Sequence, residues 1–138
     1  MTEASIEPFA RAHLDGLIAL VAAEGWTEYA DRVERTYRAL TAPGVTTLVA
    51  SVDGRVAGAI QVQSDGLIQA HVSMLLIGRH ARGLGLGAKL LREGLKRAGG
   101  LQLDIRTRTE GYYERLGASR SLGFRLTRED LGLPADDT

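Results

Sequence analysis

The sequence predicts a mixed α/β domain in which an antiparallel meander of strands leads into a β-α-β unit. Three observations predict it. Apolar residues recur at helical spacing through the first forty positions, β-branched and alternating runs fill Thr46 to Ile77, and a glycine-rich turn then opens an amphipathic segment. At 138 residues the chain is the size of one domain, read as 1–138, with a core that needs no disulfide.

Leu14, Leu17, Ile18 and Val21 share one face of a helix from about Arg11 to Glu24. Gly25 and Trp26 interrupt it, and Tyr29, Val33, Tyr37 and Leu40 carry a second helix that Ala42-Pro43-Gly44 ends. Trp26, Tyr29 and Tyr37 could line a pocket, though aromatics at this spacing are more often core; Trp26 reads as the edge of a pocket and Tyr37 as core. Thr46 to Val52 and Val56 to Gln63 are strands joined by the hairpin turn Asp53-Gly54, with Gly58 marking a bulge. Ser64-Asp65-Gly66 turns the chain into a long strand, Leu67 to Ile77, apolar enough on both faces to be central. Leu84, Ala88, Leu91, Leu95 and Ala98 line one side of the next helix, which Gly99-Gly100 stops. Leu101 to Ile105 is a strand parallel to Leu67–Ile77. Glu110 to Leu116 is a short helix, Leu122 to Thr127 a last strand, and the tail from about Glu129 is polar and loose.

The run Arg82-Gly83-Leu84-Gly85-Leu86-Gly87-Ala88 carries the most chemistry. Glycine costs about 1 kcal/mol relative to alanine inside a helix. Three at a helix start suit close approach of a ligand to bare N–H groups at the positive end of the dipole, a cradle for phosphate. A Walker A loop would need a hydroxyl after Lys89, where Leu90 stands. Gly83, Gly85 and Ala88 fit a dinucleotide-binding turn, with Asp104 about twenty residues on. Yet five residues separate Ile77 from Gly83, and only 34 follow Asp104, too few for the remaining parallel strands.

Arg82-x-x-Gly85-x-Gly87 matches the Q/R-x-x-G-x-G/A pattern of the GNAT superfamily of N-acetyltransferases. Ile77-Gly78-Arg79-His80-Ala81 resembles that family's V-x-P-x-x lead-in, with Arg79 in place of proline. About thirty residues later Tyr112-Tyr113-Glu114-Arg115-Leu116-Gly117 resembles its F-Y-x-x-L-G segment. The resemblance implies the GNAT fold, a mixed sheet of about six to seven strands flanked by about four helices. It implies acetyl-CoA as co-substrate and a primary amine of a small molecule or peptide as acceptor, attacking the thioester directly. The pyrophosphate would lie on the N–H groups of Gly83, Leu84, Gly85, Leu86, Gly87 and Ala88, with Arg82 fixing the loop. The pantetheine arm would run along Leu75, Leu76 and Ile77, beside a polar residue of the 106–109 loop such as Thr109.

A tetrahedral oxyanion needs a preplaced donor, for which a free N–H near Leu75 is the candidate. Tyr113 matches the tyrosine at that position of the GNAT pattern, and the resemblance makes it the candidate acid for the leaving thiolate, whose parent thiol has a pKa of about 8.5. The amine must shed a proton, since an alkylammonium has a pKa of about 10. Glu24, Asp65 and His71 are the candidate bases; imidazole suits proton transfer at neutral pH, and a water relay would need none of them. The rival functions are a non-catalytic acyl-CoA-binding or regulatory domain on the same fold, and a dinucleotide-binding module.

The absence of cysteine removes disulfides, a thiol nucleophile and thiolate-bound zinc, and no His/Asp/Glu spacing suggests a metal. Net charge is zero, which gives no global field for nucleic acid or membrane. Arginine outnumbers lysine 15 to 2, a bias of GC-rich, bacterial coding. Arg79, Arg82, Arg106 and Arg108 could still gather as a basic patch. No leader and no apolar run long enough to span a bilayer is read, so a cytoplasmic protein is expected. Ala118 stands where the family has an aromatic residue, and little chain follows. The C-terminal hairpin is therefore expected to be short or completed by a second subunit in a homodimer.

Overall fold

The computed structural model describes residues 3–109 and 111–136. The backbone forms two compact units, Met1–Ile105 and Arg106–Thr138. The first holds a five-stranded sheet of β1 (Ala4–Pro8), β2 (Val45–Val52), β3 (Arg55–Ser64), β4 (Gln69–Ile77) and β5 (Gln102–Ile105), in that spatial order. β1 to β4 pair antiparallel, and β4 pairs with β5 in parallel. Its helices are α1 (Leu14–Ala23), α2 (Thr27–Ala30), α3 (Val33–Leu40) and α4 (Leu86–Ala98). The second unit contains α5 (Tyr112–Arg115).

The expected class and the meander-then-β-α-β order are present, with five strands instead of six or seven. β1 escaped the sequence reading because only Ile6 of its five residues is even partly buried, which leaves no period to detect. Leu122 to Thr127 makes no strand among the described residues. Its period-two row is exposed, Leu122 at 90 %, Phe124 at 88 % and Leu126 at 68 %. Alternation marks a chain able to form a strand, but ladder bonds to a partner make one. The second helix breaks at Asp31–Arg32 into α2 and α3. β4 starts two residues later than expected because Asp65 takes the N–H groups of Leu67, Ile68 and Gln69. Asp53 and Gly54 both adopt positive φ, as a two-residue hairpin turn of the mirror-image type requires.

Both faces of the sheet are covered. Leu48, Ile60, Val62, Ala70 and Val72 pack with Leu86 and Leu90 of α4. On the other face Ala59, Met74 and Leu76 pack with Leu17, Val21 and Leu40 of the N-terminal helices. The stripe of α4 that meets the sheet is Leu86, Gly87, Leu90 and Gly94, a shift from the predicted stripe, in which Leu84 and Ala88 prove exposed. Hydrophobicity alone misses this because two of the four are glycines, which bring the helix backbone close. A Cβ on Gly94 would sit 3.1 Å from Val62 Cγ2 and 3.2 Å from Ile60 Cδ1. Gly94→Val is therefore expected to destabilise the protein by about 1–3 kcal/mol. Urea melts check this, and an unchanged midpoint would mean that α4 lifts off the sheet without cost.

Candidate functional site

The site starts from an irregularity in β4. Along β3–β4 the paired residue numbers sum to 135 from Gly58↔Ile77 to Gln61↔Met74, then to 134 from Val62↔Val72. Ser73 is the extra residue, a β-bulge. The bulge exchanges the faces. Ala70 and Val72 before it point to the α4 side, whereas Met74 and Leu76 after it point to α1–α3. Pairing with β5 covers only Gln69 to Val72. β5 ends at Ile105, level with Val72, so among the described residues of the first unit β4 has no ladder partner on that side beyond the bulge and its edge there is open.

The ladder tells which groups line that edge. The Gly78 N–H donates to Ala57 O at 2.7 Å, so this is a hydrogen-bonded pair. Such pairs alternate along an antiparallel ladder. Leu76 and Met74 therefore also turn their main chain toward β3. Leu75 and Ile77 turn theirs to the open side, and the Leu76 side chain serves the core. The Ile77 carbonyl accepts a hydrogen bond from Arg82 Nε at 3.2 Å.

The glycine run leads from this edge into α4. A 3-10 turn, Arg79–Ala81, follows Gly78. Gly83 and Gly85 then adopt φ of +83° and +76°, which disfavours other residues, and no atom lies within 4 Å of where their Cβ would be. Among the described residues the N–H groups from Gly83 to Ala88 meet no backbone acceptor. Bare donors, open space and a helix N-terminus fit a pyrophosphate. Arg82 holds the loop from outside: its guanidinium also pairs with Glu24 Oε1 at 3.2 Å. Glu24 follows α1 directly, so this ion pair ties the end of that helix to the strand end and loop. A base role for Glu24 would have to compete with Arg82.

The other candidate bases sit differently. Asp65 Oδ1 accepts from Leu67 N at 2.8 Å, Ile68 N at 2.7 Å and Gln69 N at 3.2 Å. These bonds hold its carboxyl below the ordinary range, Ile68 contributing most. A carboxylate so stabilised is a weak base at the turn before β4. Asp65→Asn is expected to lower the melting temperature at neutral pH, by a gap that narrows in acid. A depressed native pKa stabilises fully above the unfolded value of about 3.9 and is lost as pH falls through the native one. Melts from pH 7 downward test this; a gap independent of pH would reject the charge as its cause. His71 is exposed on β4, two residues before the bulge, level with Gln63 on β3 and Asp104 on β5.

In the second unit α5 carries Tyr113, half-buried, its ring edge-on to Tyr112 at 5.0 Å between centroids. The Ala118 N–H bonds to Tyr113 O and the Gly117 N–H to Glu114 O, with Gly117 at φ +90°. That is a Schellman cap, and it explains the glycine that closes the Tyr-Tyr-Glu-Arg-Leu-Gly segment. Glu114 Oε2 takes the Gly111 N–H at the other end, at 2.7 Å. Burial, then the charge of Tyr112, push the Tyr113 hydroxyl pKa up. The Thr109 N–H donates to Thr107 Oγ1 at 2.9 Å, a turn within the 106–109 loop. Glu110, where the short helix was expected to begin, lies outside the described residues.

Two residues meet at the bulge, and only one of them, Tyr29, stands out in the sequence. Ser73 has no sequence signal, since nothing in a strand's composition announces a bulge. Tyr29, one of the aromatics at helical spacing that could line the acceptor pocket or the core, has its hydroxyl donating to Ser73 O at 3.4 Å. Trp26 packs beside it against the α1–α3 core, 6.1 Å between ring centroids. Tyr37 lies under the Arg11 guanidinium, 4.3 Å from its ring centre. Among the described residues no cluster of His, Cys, Asp or Glu could hold a metal, and no helix is long and apolar enough to cross a membrane.

A family profile described as the acetyltransferase (GNAT) domain matches residues 12–129. No curated protein matches by sequence. Among solved structures, the chain is similar to a transcriptional regulator from Bacillus halodurans C-125, with TM-score 0.76 and 18% identity over 91% of this chain and 99% of that one. It is similar to an acetyltransferase of Trypanosoma brucei, with TM-score 0.72 and 17% identity over 91% and 99%. A ribosomal-protein-alanine N-acetyltransferase from Brucella melitensis biovar Abortus 2308 gives TM-score 0.71 and 17% identity over 91% and 98%. At these identities the likeness is one of fold.

Proposed function

Since the chain belongs to the GNAT acetyltransferase domain family, we propose that it moves an acetyl group from acetyl-CoA to a primary amine of a small molecule or peptide, by direct attack within a ternary complex. The observation that carries this reading is the open edge of β4 running into an unobstructed glycine cradle. An extended pantetheine arm has main-chain partners at Leu75 and Ile77, and a pyrophosphate has the N–H groups of Gly83 to Ala88.

Acetyl-CoA supplies the acyl donor, a thioester. The chain's residues do the rest. The Leu75 N–H faces the open side and stabilises negative charge on the carbonyl oxygen as the amine nitrogen bonds to the carbonyl carbon. Tyr113 gives its proton to the sulfur as the C–S bond breaks. The proton lost by the amine passes to water or to His71, which is exposed on β4, whereas Glu24 is paired with Arg82 and Asp65 is held by backbone N–H groups. The exposed row Leu122, Phe124 and Leu126 supports association as a homodimer; light scattering showing a monomer at micromolar concentration would remove that part.

Calorimetry with acetyl-CoA, CoA and NAD, followed by thiol release with a panel of amines, tests the function. Acetyl-CoA binding with amine-dependent thiol release is expected. Binding of acetyl-CoA with no release from any amine would favour the regulatory reading. Preference for NAD would overturn both.

A further inference from the structure

The bulge at Ser73 lies within a closed circuit of hydrogen bonds. The Ser73 hydroxyl donates to Gln61 O at 3.3 Å. Gln61 Nε2 donates to Ala39 O of α3 at 3.2 Å. The Thr36 hydroxyl, also on α3, donates to the Tyr29 carbonyl. The Tyr29 hydroxyl returns to Ser73 O. Gln61 and Thr36 are 4% and 3% exposed, so two of the core's buried polar side chains serve this one circuit.

We propose that this ring positions the Leu75 N–H for acetyl transfer, which makes Tyr29 and Ser73 positioning residues; the inference rests on the acetyl-transfer reading above. The physical reason is that a bulge leaves one residue outside the ladder, so the ladder does not fix how its peptide is turned. Here the carbonyl of that residue is held from α2 and its hydroxyl from β3. Met74, next along, shares the hydrogen-bonded pair with Gln61, and Leu75 follows by one peptide. A rotation at Ser73 would swing the Leu75 N–H off the open edge. The ring thus ties the angle of the oxyanion donor to helices α2 and α3. Full removal of an oxyanion donor costs at least about a hundredfold in kcat. A donor tilted but still present costs less, about tenfold.

The experiment compares Tyr29→Phe and Ser73→Ala with the unaltered protein. Each is expected to lower kcat about tenfold while the KM for acetyl-CoA stays within about twofold, because the edge that binds pantetheine remains. The double variant is expected to be little worse than either single one, since both open one circuit. Tyr37→Phe, which removes a hydroxyl from the same helical layer outside the ring, is expected to behave as wild type. Thermal melts confirm that the fraction folded is equal at the assay temperature. An unchanged kcat in Tyr29→Phe, or a raised KM with kcat intact, overturns the proposal. Should the unaltered protein release no thiol with any amine, the acetyl-transfer reading fails by itself, and amide exchange judges the ring. The Met74 N–H exchanging about tenfold faster in Tyr29→Phe would support the ring; exchange at the wild-type rate would overturn it.

Discussion

Gly85→Ala is expected to weaken acetyl-CoA and CoA binding about a hundredfold while costing the fold little. Gly85 sits at φ +76° with open space where a Cβ would project. An L side chain in that conformation costs about 1 kcal/mol, or about 4 °C in melting temperature for a chain of this size. The new methyl meets no protein atom, so sterics add nothing to that cost. It projects into open space within the cradle, and is expected to obstruct a phosphate drawn to the bare N–H groups around it. Two charge-assisted hydrogen bonds lost at about 1.5 kcal/mol each amount to about a hundredfold in Kd. Gly54→Ala is the matched control. Gly54 has φ +79° and equally open surroundings in the β2–β3 hairpin, so it should show the same loss of stability and no change in binding. Calorimetry and thermal melts on the pair separate strain from obstruction. Tight binding by Gly85→Ala would move the phosphate away from this loop.

Tyr113→Phe is expected to lower kcat about a hundredfold at neutral pH with the KM for acetyl-CoA nearly unchanged, the usual lower bound for losing a general acid. The pH profile carries the sharper test. Burial, with Tyr112 second, raises the Tyr113 pKa above its ordinary value of 10.0. A raised pKa keeps the hydroxyl protonated to higher pH, so the group remains a competent acid across the neutral and mildly alkaline range. Wild-type kcat should therefore show no decline from this group below about pH 10, and any decline above it should be missing in Tyr113→Phe. Equal kcat for the two proteins across pH would mean that the thiolate leaves without its help.

The legible parts of the site were those set by local chemistry. The period of the apolar residues marked α1, α4 and the meander. Glycine marked the Asp53-Gly54 turn and the cradle at Gly83 and Gly85, and the structure adds that all three of these glycines, with Gly117, have positive φ. Where glycine packs helix against sheet, as at Gly94, the same residue misled, because hydrophobicity scales give no credit for a missing side chain. β1 and the break between α2 and α3 were missed because four or five residues are too few to establish a period.

The sequence by itself determined the class of fold, the succession from antiparallel meander to β-α-β unit and the loop that suits a phosphate. Each depends on residues within a few positions of one another, through side-chain spacing or a backbone angle that only glycine adopts easily. The tertiary structure alone decided the rest. It placed the extra residue of β4 at Ser73, ended the pairing with β5 at Val72, and set the phase of the β3 ladder that turns the Leu75 and Ile77 main chain outward. It also set Glu24 against Arg82, 58 positions away, and Tyr29 against Ser73, 44 away. Register and long-range pairing are fixed by which ladder and which packed faces satisfy the most hydrogen bonds and bury the most apolar surface at once. No window of sequence contains both sides of that balance.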